Sequence, residues 1–444
     1  MTPNPLADRV DAHLDLARSD LAALVAHASV HGDPARAEAG RLSAEWVAGR
    51  FGELGFACEV IVTSDGSRAV VGHRPGPPGS RTVALYSHHD VQPAGDESLW
   101  NTPPFELTER DGRWYGRGAA DCKGNVIAHL TALRALGDDA SCGIRIIIEG
   151  SEEAGGEGLD HLVRERPELF DADLILIGDT GNVEVGVPTL TTSLRGVVNV
   201  RVRVAALAGA VHSGQFGGAA PDAMAALIAL LGTLRDADGD TTIDGLPADQ
   251  TWAGAAYPVD RFRTDAGVLP GADVLGSGTP ADMVWARPAV TVIGVDAPGI
   301  DDCAAAVVPV ASALLNLRIP PGVDPQRAYD ALAAHLRAHV PWHCDLRVSA
   351  EAMGAPFAPA TDGPGYAALT AAMSEAYDGA AVVQSGQGGS IPLCTALAEA
   401  VPGAEIALLG VEEPRCAIHA PNESVDPAEI RRTALAEALL LSRF

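Results

Sequence analysis

The chain has 444 residues, a formal charge of −27 and 47% hydrophobic residues. That length suggests two or three domains with a sizeable core. No run of 18 apolar residues indicates a membrane span, and so acidic a chain repels phosphate backbones, which argues against a nucleic-acid partner.

The first turns carry Asp8, Asp11, Asp15 and Asp20 on an amphipathic pattern. A signal peptide needs a basic start and an apolar block, so a cytoplasmic protein is expected. The seven cysteines form no C-x-x-C pair, and reduced thiols are expected rather than a disulfide framework. Residues 8–29 read as a helix, with Val10, Leu14, Leu21, Leu24 and Val25 near a 3.6 period. A second helix is predicted over about 34–54, with Leu42, Trp46, Val47 and Phe51 inward and Gly55 as its stop. Residues 56–62 alternate as a strand, and Pro75-Gly76-Pro77-Pro78-Gly79 is a turn.

Residues 82–86 form a short apolar strand that delivers Ser87-His88-His89-Asp90 to its end. His88 can bind a divalent metal through one ring nitrogen, with Asp90 orienting the ring from behind. A hydrogen-bonded loop is the alternative for this motif alone, and His89 reads as a bystander. Residues 114–124 are glycine-rich and contain the chain's single lysine, Lys123. Lys123 precedes Gly124, so the phosphate-loop pattern fails. A helix follows with Gly137 as its stop, and Asp121 just before it also reads as an N-cap carboxylate.

Ile146-Ile147-Ile148 run into Glu149-Gly150-Ser151-Glu152-Glu153. This is a buried strand ending at a polar rim, where open α/β sheets bind ligands. Adjacent residues leaving a strand point in different directions, so Glu152 and Glu153 can serve two tasks. A solvated acidic turn is the alternative for the pair alone. A further apolar run, 173–179, ends on Asp179. Thr189 to Ala205 alternates like strands, residues 222–234 form an apolar helix, and 266–282 read as a long loop. Residues 308–319 and 404–410 read as strands. A loop then carries Ile418-His419-Ala420-Pro421-Asn422-Glu423, and Asp426-Pro427 opens a last helix with Ile430, Leu435 and Leu439 inward. His88, Asp121, Glu153, Asp179 and His419 thus each stand at an element end. Such a nitrogen–oxygen set suits a pair of divalent ions if one carboxylate bridges.

Six motifs in order carry a resemblance over essentially the whole chain: His88 to Pro93, Tyr115 to Gly124, Glu149 to Glu153, His212-Ser213-Gly214, Gly388 to Pro392, and His419 to Glu423. The chain resembles the M20 metallopeptidases, in the dipeptidase branch that includes carnosine dipeptidases. The resemblance implies an α/β fold: a split catalytic domain with a central mixed sheet flanked by helices, over 1–185 and 353–444. It also implies an inserted smaller α+β lid and dimerisation domain over 186–352. His88 and Asp179 would hold one metal, Glu153 and His419 the other, and Asp121 would bridge. Glu152 would be the general base, and a cis peptide would follow Asp121. His212 would reach a partner subunit's oxyanion in a homodimer, while Arg318 would bind the substrate carboxylate and Gly389 and Ser390 would contact substrate. The lid would close, since Arg318 lies on a different domain from the metals.

The expected reaction is hydrolysis of a dipeptide or short peptide with a free carboxylate. Two divalent metal ions, most simply zinc with manganese or cobalt as alternatives, would activate a bridging water. Two departures stand out. Gly386-Gln387 replaces the Arg-Glu often found before Gly-Gly-Ser, which keeps open an N-acyl amino-acid deacylase of the same family. Cys122 stands where Asp or Met is common and receives no chemistry. A catalytically inactive metal-binding homologue and a metal-free acidic dimer are further alternatives.

Overall fold

The computed structural model describes residues 5–389 and 391–444. They divide into two compact units. The first comprises residues 5–192, 359–385 and 392–444; the second comprises 193–358, 386–389 and 391.

In the first unit, four parallel strands lie side by side in the order Gly143–Glu149, Thr82–His88, Leu174–Gly178 and Glu405–Leu409. Ile144, Ile146, Ile147 and Ile148 are fully buried, as are Leu174 to Ile177. Parallel strands covered on both faces read as such unbroken apolar runs. Arg68–Arg74 and Ala57–Val62 extend the sheet antiparallel at one side, giving an eight-stranded mixed sheet with Thr189–Leu194 and Val383–Gln387 at the other. Because the four central strands are parallel, their carboxyl ends share one rim. His88, Glu152, Glu153 and Asp179 follow from that rim.

The helix Lys123–Leu136 is buried on nearly every side, its polar residues Lys123, Asn125, His129 and Thr131 included. It packs against the C-terminal helix Pro427–Leu441 and against Leu14–Val25. The Lys123 ammonium group donates to the carbonyls of Leu24 and His27 at 3.0 and 2.7 Å. It thereby adds a donor to two carbonyls just where the Leu14–Val25 helix ends, beside the N–H groups of His27 and Ser29 that they also accept. Burial pushes its pKa down to about 7.

Three local expectations need correction. The helix read over 8–29 is two helices, Pro5–Ala12 and Leu14–Val25, because the chain turns at His13. In Ala37–Glu53 the inward face holds Ser43, Ala44, Val47 and Phe51, whereas Leu42 is 38% exposed. Small residues set that face, and an apolar periodicity count misses them. Asp121 is not an N-cap: Cys122 holds that position, leaving the Asp121 carboxylate for other partners.

The second unit pairs four antiparallel strands in the order Ala289–Asp296, Val310–Ile319, Gly196–Ala205, Asp345–Gly354. Val198, Val200, Val202 and Val204 point to one face, where the helices Ala223–Gly232 and Pro325–His339 cover them. Among the described residues no helix is long and apolar enough to cross a membrane.

Candidate metal centre

The rim brings together side chains that stand 331 positions apart at their extremes, His88 and His419. His88 closes the strand Thr82–His88 and is fully buried. Its Nε2 lies 3.0 Å from Asp121 Oδ1 and 3.2 Å from Asp179 Oδ1. His419 sits in a loop with a positive φ of 61°, and its ring is half exposed. Its Nε2 lies 2.9 Å from Asp121 Oδ2 and 3.1 Å from Glu153 Oε2. The two oxygens of Asp121 therefore serve two separate groups: His88 with Asp179, and His419 with Glu153.

These spacings suit a cation. Ligand atoms about 2.0–2.1 Å from a tetrahedral ion stand roughly 3.3 Å from one another. Two neutral imidazoles with three carboxylates are the hard and borderline donors that divalent ions take. The residues present therefore fit a pair of metal ions.

The ionisation pattern agrees. Burial alone would raise the Asp121 pKa, but hydrogen bonds to His419 and His88 outweigh it and hold the carboxyl well below the usual range. Burial pushes Asp179 up to about 6, against the pull of His88. Burial would lower His88, yet the surrounding negative groups and its bonds to Asp121 and Asp179 carry it well above the usual imidazole value. The bonds to Asp121 and Glu153 raise His419 to about 10. Glu152 is pushed well above the usual carboxylate range by burial and by the nearby charge of Asp179.

Asp90 has two jobs. Its Oδ1 lies 3.3 Å from His88 Nδ1. Its two oxygens also accept the backbone N–H groups of Glu152 and Glu153, at 3.2 and 3.1 Å. The carboxylate thus fixes the turn Glu152–Ala154, while the backbone carbonyl of Asp90, 3.1 Å from His88 Nδ1, is the hydrogen-bond partner of the ring. Gln92 adds an amide that donates to Glu153 Oε2 at 2.9 Å. Cys122 donates its thiol to the carbonyl of Gly178 at 2.8 Å, and burial keeps its pKa well above the ordinary thiol value. The expected cis peptide is present between Asp121 and Cys122.

Sequence reasoning gave no role to Glu423, which builds the loop under Asp121. This fully buried carboxylate accepts from the backbone N–H groups of Gly118, Ala120 and Asp121 at 2.9–3.1 Å. It also accepts from Arg117 Nη1 at 2.7 Å. Arg117 and Glu423 are 306 positions apart, so no local pattern links them. Removing one partner of a buried ion pair costs about 3–5 kcal/mol. Glu423→Gln should therefore lower the unfolding free energy from a denaturant titration by that order, with metal content falling alongside.

The other expected residues lie in the second unit. His212 is exposed, and its Nδ1 accepts the N–H of Gly214 at 3.0 Å, which leaves the hydrogen on Nε2. Arg318 is partly buried and donates from Nε to Asn316 Oδ1 at 3.1 Å. Arg195 is 8% exposed, and its Nη1 reaches the carbonyls of Met283 and Arg287. Burial and the charge of Arg318 lower its pKa to about 10. Neither guanidinium has a carboxylate partner among the described residues. Gly389 is exposed; Ser390 lies outside the described residues. At Gly386 a Cβ would meet Trp285 Cβ at 2.6 Å and Cγ at 2.7 Å. Trp285 thus fills the space an arginine side chain would need at 386, a physical reason for the departure seen in the sequence.

Carboxylates and imidazoles gathered at the carboxyl ends of parallel strands define a mixed α/β protein with a candidate metal centre. The chain belongs to the peptidase family M20/M25/M40, whose model matches residues 84–443, and it is a metallopeptidase of that family. It is 44% identical over 427 residues to a cysteinylglycine-S-conjugate dipeptidase of Corynebacterium striatum, covering 95% of this chain and 94% of that one. Among solved structures it is similar to human carnosine dipeptidase 1, at 25% identity and a TM-score of 0.81, with 98% of each chain covered. A dipeptidase from Saccharomyces cerevisiae shares the fold, at 22% identity and a TM-score of 0.81, over 99% of this chain and 97% of that one.

Proposed function

We propose that the protein hydrolyses the peptide bond of dipeptides or short peptides that end in a free carboxylate. In this reading His88 and Asp179 hold one divalent ion, His419 and Glu153 hold a second, and Asp121 bridges them. The observation that carries it is the division of the two Asp121 oxygens between His88 and His419. The ions, most simply zinc, supply Lewis acidity that makes a water nucleophilic at neutral pH and polarises the scissile carbonyl. Glu152 takes the proton from the attacking water and returns it to the leaving amine. A carboxylate whose affinity for protons is raised suits that exchange. Arg318, with no carboxylate of its own, receives the substrate carboxylate in a planar two-point contact. Gly389 and Ser390 would contact the substrate.

The same reading makes the protein a cytoplasmic homodimer. Its seven cysteines would stay reduced there. The strand Ala289–Asp296 is a sheet edge that exposes Val292, Ile293 and Val295. Unpaired edges of this kind invite a second chain. His212, with its hydrogen on Nε2, would then donate to the tetrahedral oxyanion in the partner's centre.

A panel of free dipeptides, C-amidated dipeptides and N-acyl amino acids tests the reaction. Free dipeptides should be cleaved fastest, and amidation should lower kcat/KM by about tenfold or more, since it removes a charge-assisted contact. Faster turnover of N-acyl amino acids would favour the deacylase reading, which the Gly386-Gln387 departure, with no carboxylate at 387, keeps relevant.

Loading the centre should release protons. With no cation bound, His419 keeps its proton up to about pH 10 and His88 keeps its own well above the ordinary range. A metal must expel both, so affinity falls as pH falls. Calorimetry in buffers of different ionisation enthalpy should report about two protons released near pH 7. No release would contradict the assignment of these histidines.

A further inference from the structure

We infer that Asp244, His335 and His339 form a separate divalent-cation site, of the kind zinc fills, within the second unit. His335 and His339 lie one turn apart near the end of the helix Pro325–His339, so both rings fall on one face. Asp244 comes from the loop after the helix Ala223–Gly232. One ligand atom from each of the three lies within 4.8 Å of the others. Asp244 Oδ2 stands 3.1 Å from His335 Nδ1 and 3.8 Å from His339 Nδ1. These values bracket the roughly 3.3 Å between neighbouring ligands of a tetrahedral zinc ion.

The hydrogen-bond chain behind His335 fixes its tautomer. Thr233 Oγ1 spends its hydrogen on the carbonyl of Leu230 at 2.7 Å, so it accepts from His335 Nε2 at 3.0 Å. With the hydrogen on Nε2, Nδ1 of the neutral ring turns its single lone pair towards Asp244, accepting that residue's N–H at 3.2 Å with the carboxylate Oδ2 at 3.1 Å. An imidazolium would serve the carboxylate, yet it would turn its own N–H against the N–H of Asp244. A cation bound by Nδ1 and Oδ2 would take that lone pair in place of the Asp244 N–H, with the loop at Asp244 giving slightly, and would neutralise the carboxylate. Thr233 then plays the part of the outer partner that orients a metal-binding histidine. His335 is only 4% exposed, which holds the ring in place. His339 is stacked on it, with ring centroids 4.1 Å apart. Its Nδ1 now lies 2.8 Å from the carbonyl of His335, and a turn of this exposed ring brings a nitrogen to the ion. The ion would tie the loop at Asp244 to the helix. None of the three residues belongs to the catalytic centre.

The test counts zinc. Protein stripped with a chelator is reloaded with zinc chloride, desalted, and measured by elemental analysis. His339→Ala and Asp244→Asn alter exposed side chains and should fold normally. Each should carry one zinc fewer per chain than the wild type, with peptide turnover within twofold. In an Asp121→Asn background, zinc chloride should raise the melting temperature, and adding His339→Ala should reduce the rise. Equal zinc in the wild type and both variants, or an equal melting shift with and without His339→Ala, would overturn the site.

Discussion

Glu152→Gln should leave the metal content unchanged while lowering kcat by about 10²-fold or more, the usual worth of a positioned general base. The side chain is placed without being spent. Its backbone N–H is held by Asp90, and its carboxylate has no hydrogen-bond partner among the described residues. Gln keeps the shape and removes the proton acceptor. Because Glu152 touches neither His88 nor His419, the ligand sets should survive. Elemental analysis and turnover, measured on the same sample, separate the two effects. Unchanged turnover would remove Glu152 from the mechanism.

Asp121→Asn should do more. One oxygen of Asp121 faces His88 and the other faces His419. An amide keeps a single acceptor and turns an NH₂ group towards one of the histidines, so at least one ion should be lost and activity with it. The fold should survive, since Glu423 grips the backbone N–H of Asp121 rather than its side chain. The expected result is turnover below that of Glu152→Gln and lost metal, in a protein that still folds. Retention of full metal content would contradict the bridging role.

The fold class was legible because the central strands are nearly pure apolar runs. Ile144 to Ile148 and Leu174 to Ile177 announce buried parallel strands, and the polar residues after them announce the rim. The convergence of His88, Asp121, Glu153, Asp179 and His419 was legible only through motifs taken together, since each alone has an ordinary alternative. What the sequence hid is long-range. Glu423 holds the Gly118–Asp121 backbone from across the chain, and Trp285 occupies the space beside Gly386. Neither contact leaves a periodicity or spacing to read. The inward face of Ala37–Glu53 was misread for a different reason: Ser43 and Ala44 pack by small size, not by hydrophobicity.

Anomalous diffraction from crystals of the metal-loaded protein tests the central claim most directly. Two peaks should flank Asp121, about 3.5–4 Å apart as in two-metal hydrolases, one beside His88 and Asp179 and the other beside His419 and Glu153. A single peak, or none within reach of Asp121, would contradict the account.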